Sequence, residues 1–123
     1  MPSRLPSGTS MTEVQGCLVV SLQSDMDDAA FAALHQEFSQ RLVDNRLPDA
    51  IFNFSGVQLL DLHEFERVRR LSQVAGFLGA EVVCVALAPG IAAFLAQADT
   101  DLQGLRFCLH MEDAFALLAA SPP

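Results

Sequence analysis

The residues that could carry acid–base or metal chemistry are first of all the histidines, His35, His63 and His110, which stand far apart with no partner at ligand spacing. They read as surface or partly buried structural residues. His63 holds interest because it falls beside a loop, in the first turn of a helix. A hydrolase would need a nucleophile near a base that a third group orients. Ser55 is the serine in a suggestive place, yet its surroundings are not a Gly-x-Ser-x-Gly elbow, and it reads as a turn residue bonded to its own backbone. Gly56, Gly76, Gly79, Gly90 and Gly104 form no phosphate loop, and the chain contains no Lys to reach a phosphate. Asp25, Asp27 and Asp28, like Asp99 and Asp101, sit at element ends, where carboxylates cap helices more readily than they bind cations. Arg67, Arg69 and Arg70 form a basic cluster that reads as a solvated face or an anchor for an acidic patch on a partner. No catalytic residue, cofactor site or metal ligand emerges, and the chain is expected not to be an enzyme.

Composition narrows the partners. The 123 residues carry 15 acids against seven Arg, a net charge of −8 that repels nucleic acid and anionic membranes. Cys17, Cys84 and Cys108 are odd in number, lie in apolar runs, and lack metal or redox spacing; they read as buried thiols of a reducing, cytoplasmic compartment. Met1 to Ser10 has no apolar stretch of the kind a secretory signal needs. The longest charge-free run, Val82 to Ala98, is broken at Pro89-Gly90 into pieces too short to cross a bilayer.

The elements that would position these residues follow from periodicity. Gly16 to Gln23 reads as a strand, and the acidic cluster after it starts a helix from Asp27 to about Asn45 with Phe31, Leu34, Phe38 and Leu42 on one stripe. Ala50 to Phe54 is a buried strand, followed by a loop through Gly56. Asp61 and Glu64 have capping-box spacing and open a second helix that runs to about Leu78, with Gly79 as its C-cap. Val82 to Leu87 lacks polar alternation, as in a strand covered on both faces. A third helix starts at Pro89; a polar connection at Asp99 to Gly104 then leads to a short strand, Leu105 to Leu109, and a last helix, Met111 to Ala120. The order is β-α-β-α-β-α-β-α with parallel neighbours. Residues 1–13 are expected as a flexible tail or edge strand, the latter around Leu5 to Val14, and residues 14–120 as one domain.

Several segments in this order carry a resemblance: Val19-Val20-Ser21-Leu22-Gln23 with Met26-Asp27-Asp28, Phe54-Ser55-Gly56-Val57 with Leu60-Asp61, Gly79-Ala80-Glu81-Val82-Val83, and Ala88-Pro89-Gly90-Ile91-Ala92. Over about residues 14–119 the chain resembles a STAS domain, and within that superfamily it is most similar to the small stressosome scaffold proteins, which are anti-sigma-factor antagonists. The resemblance implies a mixed sheet of four to five strands with about four helices packed on it. It also implies a role in signal transduction, stress response and transcription regulation through protein binding. The implied partners are a switch-type serine/threonine kinase or an anti-sigma factor, and other STAS-domain subunits in a homo- or hetero-oligomer.

In such families a Ser or Thr directly after the Asp that opens the second helix is phosphorylated, and the added charge changes which partners bind. Here Asp61 is followed by Leu62, which has no hydroxyl. Asn53 stands where many relatives have Asp, Ala86 where they often have Gly, and Val85 lacks the hydroxyl seen in some stressosome subunits. The expectation is therefore an interaction module that has lost the usual phospho-switch or carries it elsewhere, with Ser55 as the substitute acceptor to test. Its docking surface is expected at Ser55, Gln58, Leu59, Asp61, Leu62, His63 and Glu66, where exposed Leu59 and Leu62 would form an apolar patch. The alternative is a sensor of a small ligand, a nucleotide or lipid, on the same fold.

Overall fold

Alternate residues of a strand point to opposite faces, so a strand apolar at every position needs cover on both sides. A computed structural model, which describes residues 9–98 and 105–120, supplies that cover. The strands β1 (Ser10–Val14), β2 (Cys17–Gln23), β3 (Asp49–Gly56), β4 (Glu81–Val85) and β5 (Arg106–Cys108) form one sheet in the order β1-β2-β3-β4-β5. The β1–β2 pair is antiparallel and the other pairs are parallel. The helices are α1 (Asp28–Asn45), α2 (Leu62–Phe77), α3 (Pro89–Gln97) and α4 (Met111–Ala119). This is the mixed sheet with about four helices that the sequence implies.

One face of the sheet presents Leu18, Val20, Leu22, Ala50, Phe52, Phe54, Val82 and Cys84 to a core completed by α1, α2 and α3. The expected α1 stripe of Phe31, Leu34, Phe38 and Leu42 is buried there, and Phe38 meets Phe52 edge-on at a ring separation of 5.4 Å. The other face presents Cys17, Val19, Ile51, Val83 and Val85 to Ala114 and Leu118 of α4. The charge-free run at β4 is thus a strand shared between two cores.

Several boundaries differ from the sequence reading, each for a local reason. Gly16 belongs to a turn and not to β2: Gln15 and Gly16, with φ of 53° and 79°, form the two-residue loop between the paired Val14 and Cys17. β3 runs past Phe54, because a register shift between Ser21 and Gln23 brings Gln23 opposite Gly56. Ser55 is therefore a strand residue. β4 stops at Val85, since Ala86 turns left-handed at φ 61°. β5 is shorter at both ends than Leu105 to Leu109. Asp99, Asp101 and Gly104 lie outside the described residues, as does the part of the expected edge strand before residue 9. The end of α2 is closed by paired bonds, Gly79 N–H to Gly76 O at 3.1 Å and Ala80 N–H to Ala75 O at 2.8 Å. At φ 83° Gly79 supplies the left-handed residue this motif requires.

Candidate functional site

The junction between β3 and α2 is held from three directions. At its start, Val57 is buried and its N–H donates to Phe54 O at 2.9 Å, turning the chain out of the sheet. Gly56 lets this turn pass close to β2, because a Cβ there would lie 3.0 Å from Leu22 O. At its end, Asp61 caps α2: Glu64 N–H donates to Asp61 Oδ1 at 2.7 Å, and Asp61 N–H donates to Glu64 Oε1 at 3.1 Å. This is the capping box expected from the spacing, and Leu60 packs on the core cluster that also holds Phe65, as a hydrophobic staple would.

The third restraint comes from Ser24, in the loop between β2 and α1. Gln58 N–H donates to Ser24 Oγ at 2.8 Å, and Leu59 N–H approaches the same oxygen at 3.4 Å. One hydroxyl from the β2–α1 loop thereby orders the backbone of the β3–α2 loop, 34 residues further along the chain. No local pattern in the sequence announces a contact of that range.

Between its anchors the loop exposes apolar side chains. Leu59 is 73% exposed and Leu62, the first residue of α2, is 46% exposed. Across a groove of about 770 Å³ lies Phe94 of α3, 42% exposed, with Leu60 and Ile91 also in the lining. Asp25, Asp61 and Glu64 bring carboxylates to the same groove.

Beside the loop, α2 is tied to α1 by charge. Asp28 Oδ1 meets His63 Nε2 at 3.0 Å and Arg67 Nη2 at 3.1 Å. The His63 hydrogen bond, with the Arg67 guanidinium behind it, holds the Asp28 carboxyl below the usual carboxylate range. Asp27 caps α1 by accepting from Ala30 N–H at 2.8 Å, so the acidic cluster does serve helix starts. Arg69 and Arg70 both reach Glu66, at 3.1 and 4.0 Å. Most of the basic cluster is thus engaged within its own pair of helices.

Of the sequence-predicted positions, Gln58, Leu59, Asp61, Leu62 and His63 gather around the junction, with Glu66 one turn along α2. Ser55 is set apart on β3, exposed, with its N–H donating to Asn53 Oδ1 at 3.0 Å. The local side-chain turn is made by Asn53, therefore, and not by Ser55 itself. His35 lies on α1 and His110 directly before α4. Among the described residues no cluster of His, Cys, Asp or Glu could hold a metal ion, and no helix is long and apolar enough to cross a membrane. Cys17 and Cys84 are buried in strands, and burial pushes the Cys84 thiol up to about 12.

This arrangement, a mixed sheet with a capped helix leaving its third strand, is the fold of a STAS domain, the architecture of anti-sigma-factor antagonists. The chain is similar to a serine-to-glutamate variant of RsbS from Moorella thermoacetica, with a TM-score of 0.76 and 19% identity over 94% of this chain and 100% of that one. It is similar to the anti-sigma-factor antagonist SpoIIAA in its unphosphorylated form, with a TM-score of 0.68 and 13% identity over 93% of this chain and 100% of that one. A chain from the stressosome, described as a signal integration and transduction hub, matches with a TM-score of 0.65 and 20% identity over 91% of this chain and 100% of that one. No family model matches the sequence, and neither does any curated protein.

Proposed function

We propose that this chain is a regulatory protein–protein interaction module that works without catalysis, in the manner of anti-sigma-factor antagonists and stressosome scaffolds. It docks partners through the β3–α2 junction, with Gln58, Leu59, Asp61, Leu62, His63 and Glu66 as the contact residues. The observation that carries the reading is Leu62: an exposed leucine fixed at the first position of α2 by a complete capping box. A rigid apolar side chain at a helix start, beside a second exposed leucine, is suited to burial by a partner. Covering a leucine of this kind contributes about 1–2 kcal/mol.

The partner classes are a switch-type serine/threonine kinase or an anti-sigma factor, and other STAS-domain subunits in a homo- or hetero-oligomer. Residue 62 offers no hydroxyl, so docking there is independent of a phosphate at that position. Any phospho-control enters elsewhere, and Ser55, exposed on β3, is the hydroxyl to examine. The carboxylates of Asp25, Asp61 and Glu64 in the adjoining groove disfavour an anionic nucleotide or fatty acid, which favours docking over the ligand-sensor alternative. Leu62→Asp removes the apolar contact and adds a charge that a partner must desolvate. In a pull-down with light scattering it is expected to weaken partner binding at least about tenfold. Unchanged binding and assembly size would move the interface away from this junction.

A further inference from the structure

The groove between the β3–α2 junction and α3 combines apolar surface with negative charge. Its lining includes buried Ile91, exposed Leu59 and Phe94, and the carboxylates of Asp25, Asp61 and Glu64, with no basic residue. Asp61 and Glu64 each spend one oxygen on the other's backbone N–H, in bonds that lie exposed. Neither they nor Asp25 form an ion pair with a described residue. The basic residues nearest Glu64 in sequence, His63 and Arg67, are both held by Asp28. Glu37, Glu66 and Glu81, by contrast, each have an arginine within 4.0 Å. The partial charge at the start of α2, about +0.5, offsets only a fraction of three carboxylates. The groove therefore keeps a negative charge that no described residue neutralises.

We infer that the occupant of this groove is a cationic, apolar segment of a partner protein. An apolar side chain of that segment packs against Leu59 and Phe94, and arginines or lysines flanking it pair with Asp25, Asp61 and Glu64. Such docking presupposes that the β3–α2 junction is the interface, and adds the charge of the surface that meets it. A neutral or acidic segment with the same apolar residue would cover these carboxylates and leave them unpaired, at a cost that apolar contact must first offset. Arginine suits the site best, because its planar guanidinium can bond two carboxylate oxygens at once. Nucleic acid and anionic lipid headgroups are repelled by the same three charges.

A library of random peptides displayed on phage, panned on the full chain at physiological ionic strength, tests this without a known partner. Amide chemical-shift changes on the labelled chain locate each recovered peptide. Peptides that shift Gln58, Leu59, Ile91 and Phe94 are expected to carry an apolar residue flanked by an excess of arginine and lysine. The double variant Asp25→Asn, Glu64→Gln should weaken them at least about tenfold. Both replacements keep the local geometry: asparagine tolerates the left-handed φ of 62° at residue 25, and glutamine still accepts within a capping box. Glu112→Gln with Asp113→Asn removes the same charge from the start of α4 and should leave binding within about twofold. Circular dichroism confirms that both double variants fold. Groove-bound peptides with no excess of positive charge, or two double variants that weaken binding equally, would overturn the cationic occupant and leave the junction as the interface. Peptides that bind only other faces, or none recovered, would overturn both.

Discussion

Removing the cap of α2 isolates what Asp61 does for the fold from what its neighbours do for a partner. Asp61 accepts the Glu64 N–H at 2.7 Å and donates its own N–H to Glu64 Oε1 at 3.1 Å, so Asp61→Ala leaves Glu64 N–H without its acceptor, while the backbone N–H of residue 61 still donates to Glu64 Oε1. Losing such a cap costs about 1 kcal/mol, within a range of roughly 0.5–2. Asp61→Asn keeps an acceptor of equal quality and loses only the charge facing the helix dipole, worth about 0.3–1 kcal/mol. The expected order of stability is therefore Asp, then Asn, then Ala, with the alanine variant melting about 3–5 °C below wild type for a domain of this size. Urea unfolding followed by circular dichroism measures it, with an unchanged slope showing that only stability has moved. The same series read in a binding assay should show Asp61→Ala weakening docking more than Asp61→Asn, because a frayed first turn no longer fixes Leu62. An alanine variant as stable as wild type, or an asparagine variant less stable than alanine, would refute the assignment of Asp61 as the residue that holds the junction.

Two further outcomes follow from single backbone and side-chain features. Ala86 adopts φ 61° at the end of β4, a conformation costing an L-residue about 1–2 kcal/mol. Ala86→Gly relieves that cost against a chain-entropy penalty of about 0.5–1 kcal/mol, so it should stabilise the protein by up to about 1 kcal/mol in thermal or urea unfolding, and a loss of stability would contradict it. Asp28 has its folded-state pKa lowered by His63 and Arg67, so its contribution is present above the unfolded carboxylate value near 4 and is lost as pH falls through the lower folded value. Wild type should therefore exceed Asp28→Asn in stability near neutrality and converge with it in acid, whereas a constant gap across pH would show that the His63–Asp28–Arg67 contact has no electrostatic content.

Local signals carried most of this architecture. The α1 stripe, the Asp61–Glu64 capping spacing, Gly79 after α2 and Pro89 at the start of α3 each act within a few residues, and each marks an element where the structure has it. What depends on distant chain was not legible. β3 extends to Gly56 because β2 shifts register opposite it, a pairing that moves Ser55 from loop to strand. The hydroxyl of Ser24 orders Gln58 and Leu59 across the sheet's C-terminal edge, and nothing near Ser24 or Gln58 in sequence encodes that meeting. Exposure was legible only in part. Leu62 followed from its place after the cap, but Phe77 falls in an apolar-looking helix end, and its solvent position emerges only when the packing of Leu71 and Ala75 is known. The resemblance to STAS domains added an expectation that periodicity lacks, namely that the residue after Asp61 is the position to test.

That position also offers the most direct measurement. Wild type and Leu62→Ser, incubated with a switch-type serine/threonine kinase that labels a normal relative, can be compared by mass spectrometry of the phosphopeptides. The account predicts that L62S gains a phosphate at residue 62, in the peptide containing Asp61, and then loses partner binding. Wild type gains none there, and any label it takes on this segment falls on Ser55. An L62S chain that is not phosphorylated at residue 62, or that binds its partner equally well with the phosphate attached, would contradict the claim that the start of α2 is the docking surface.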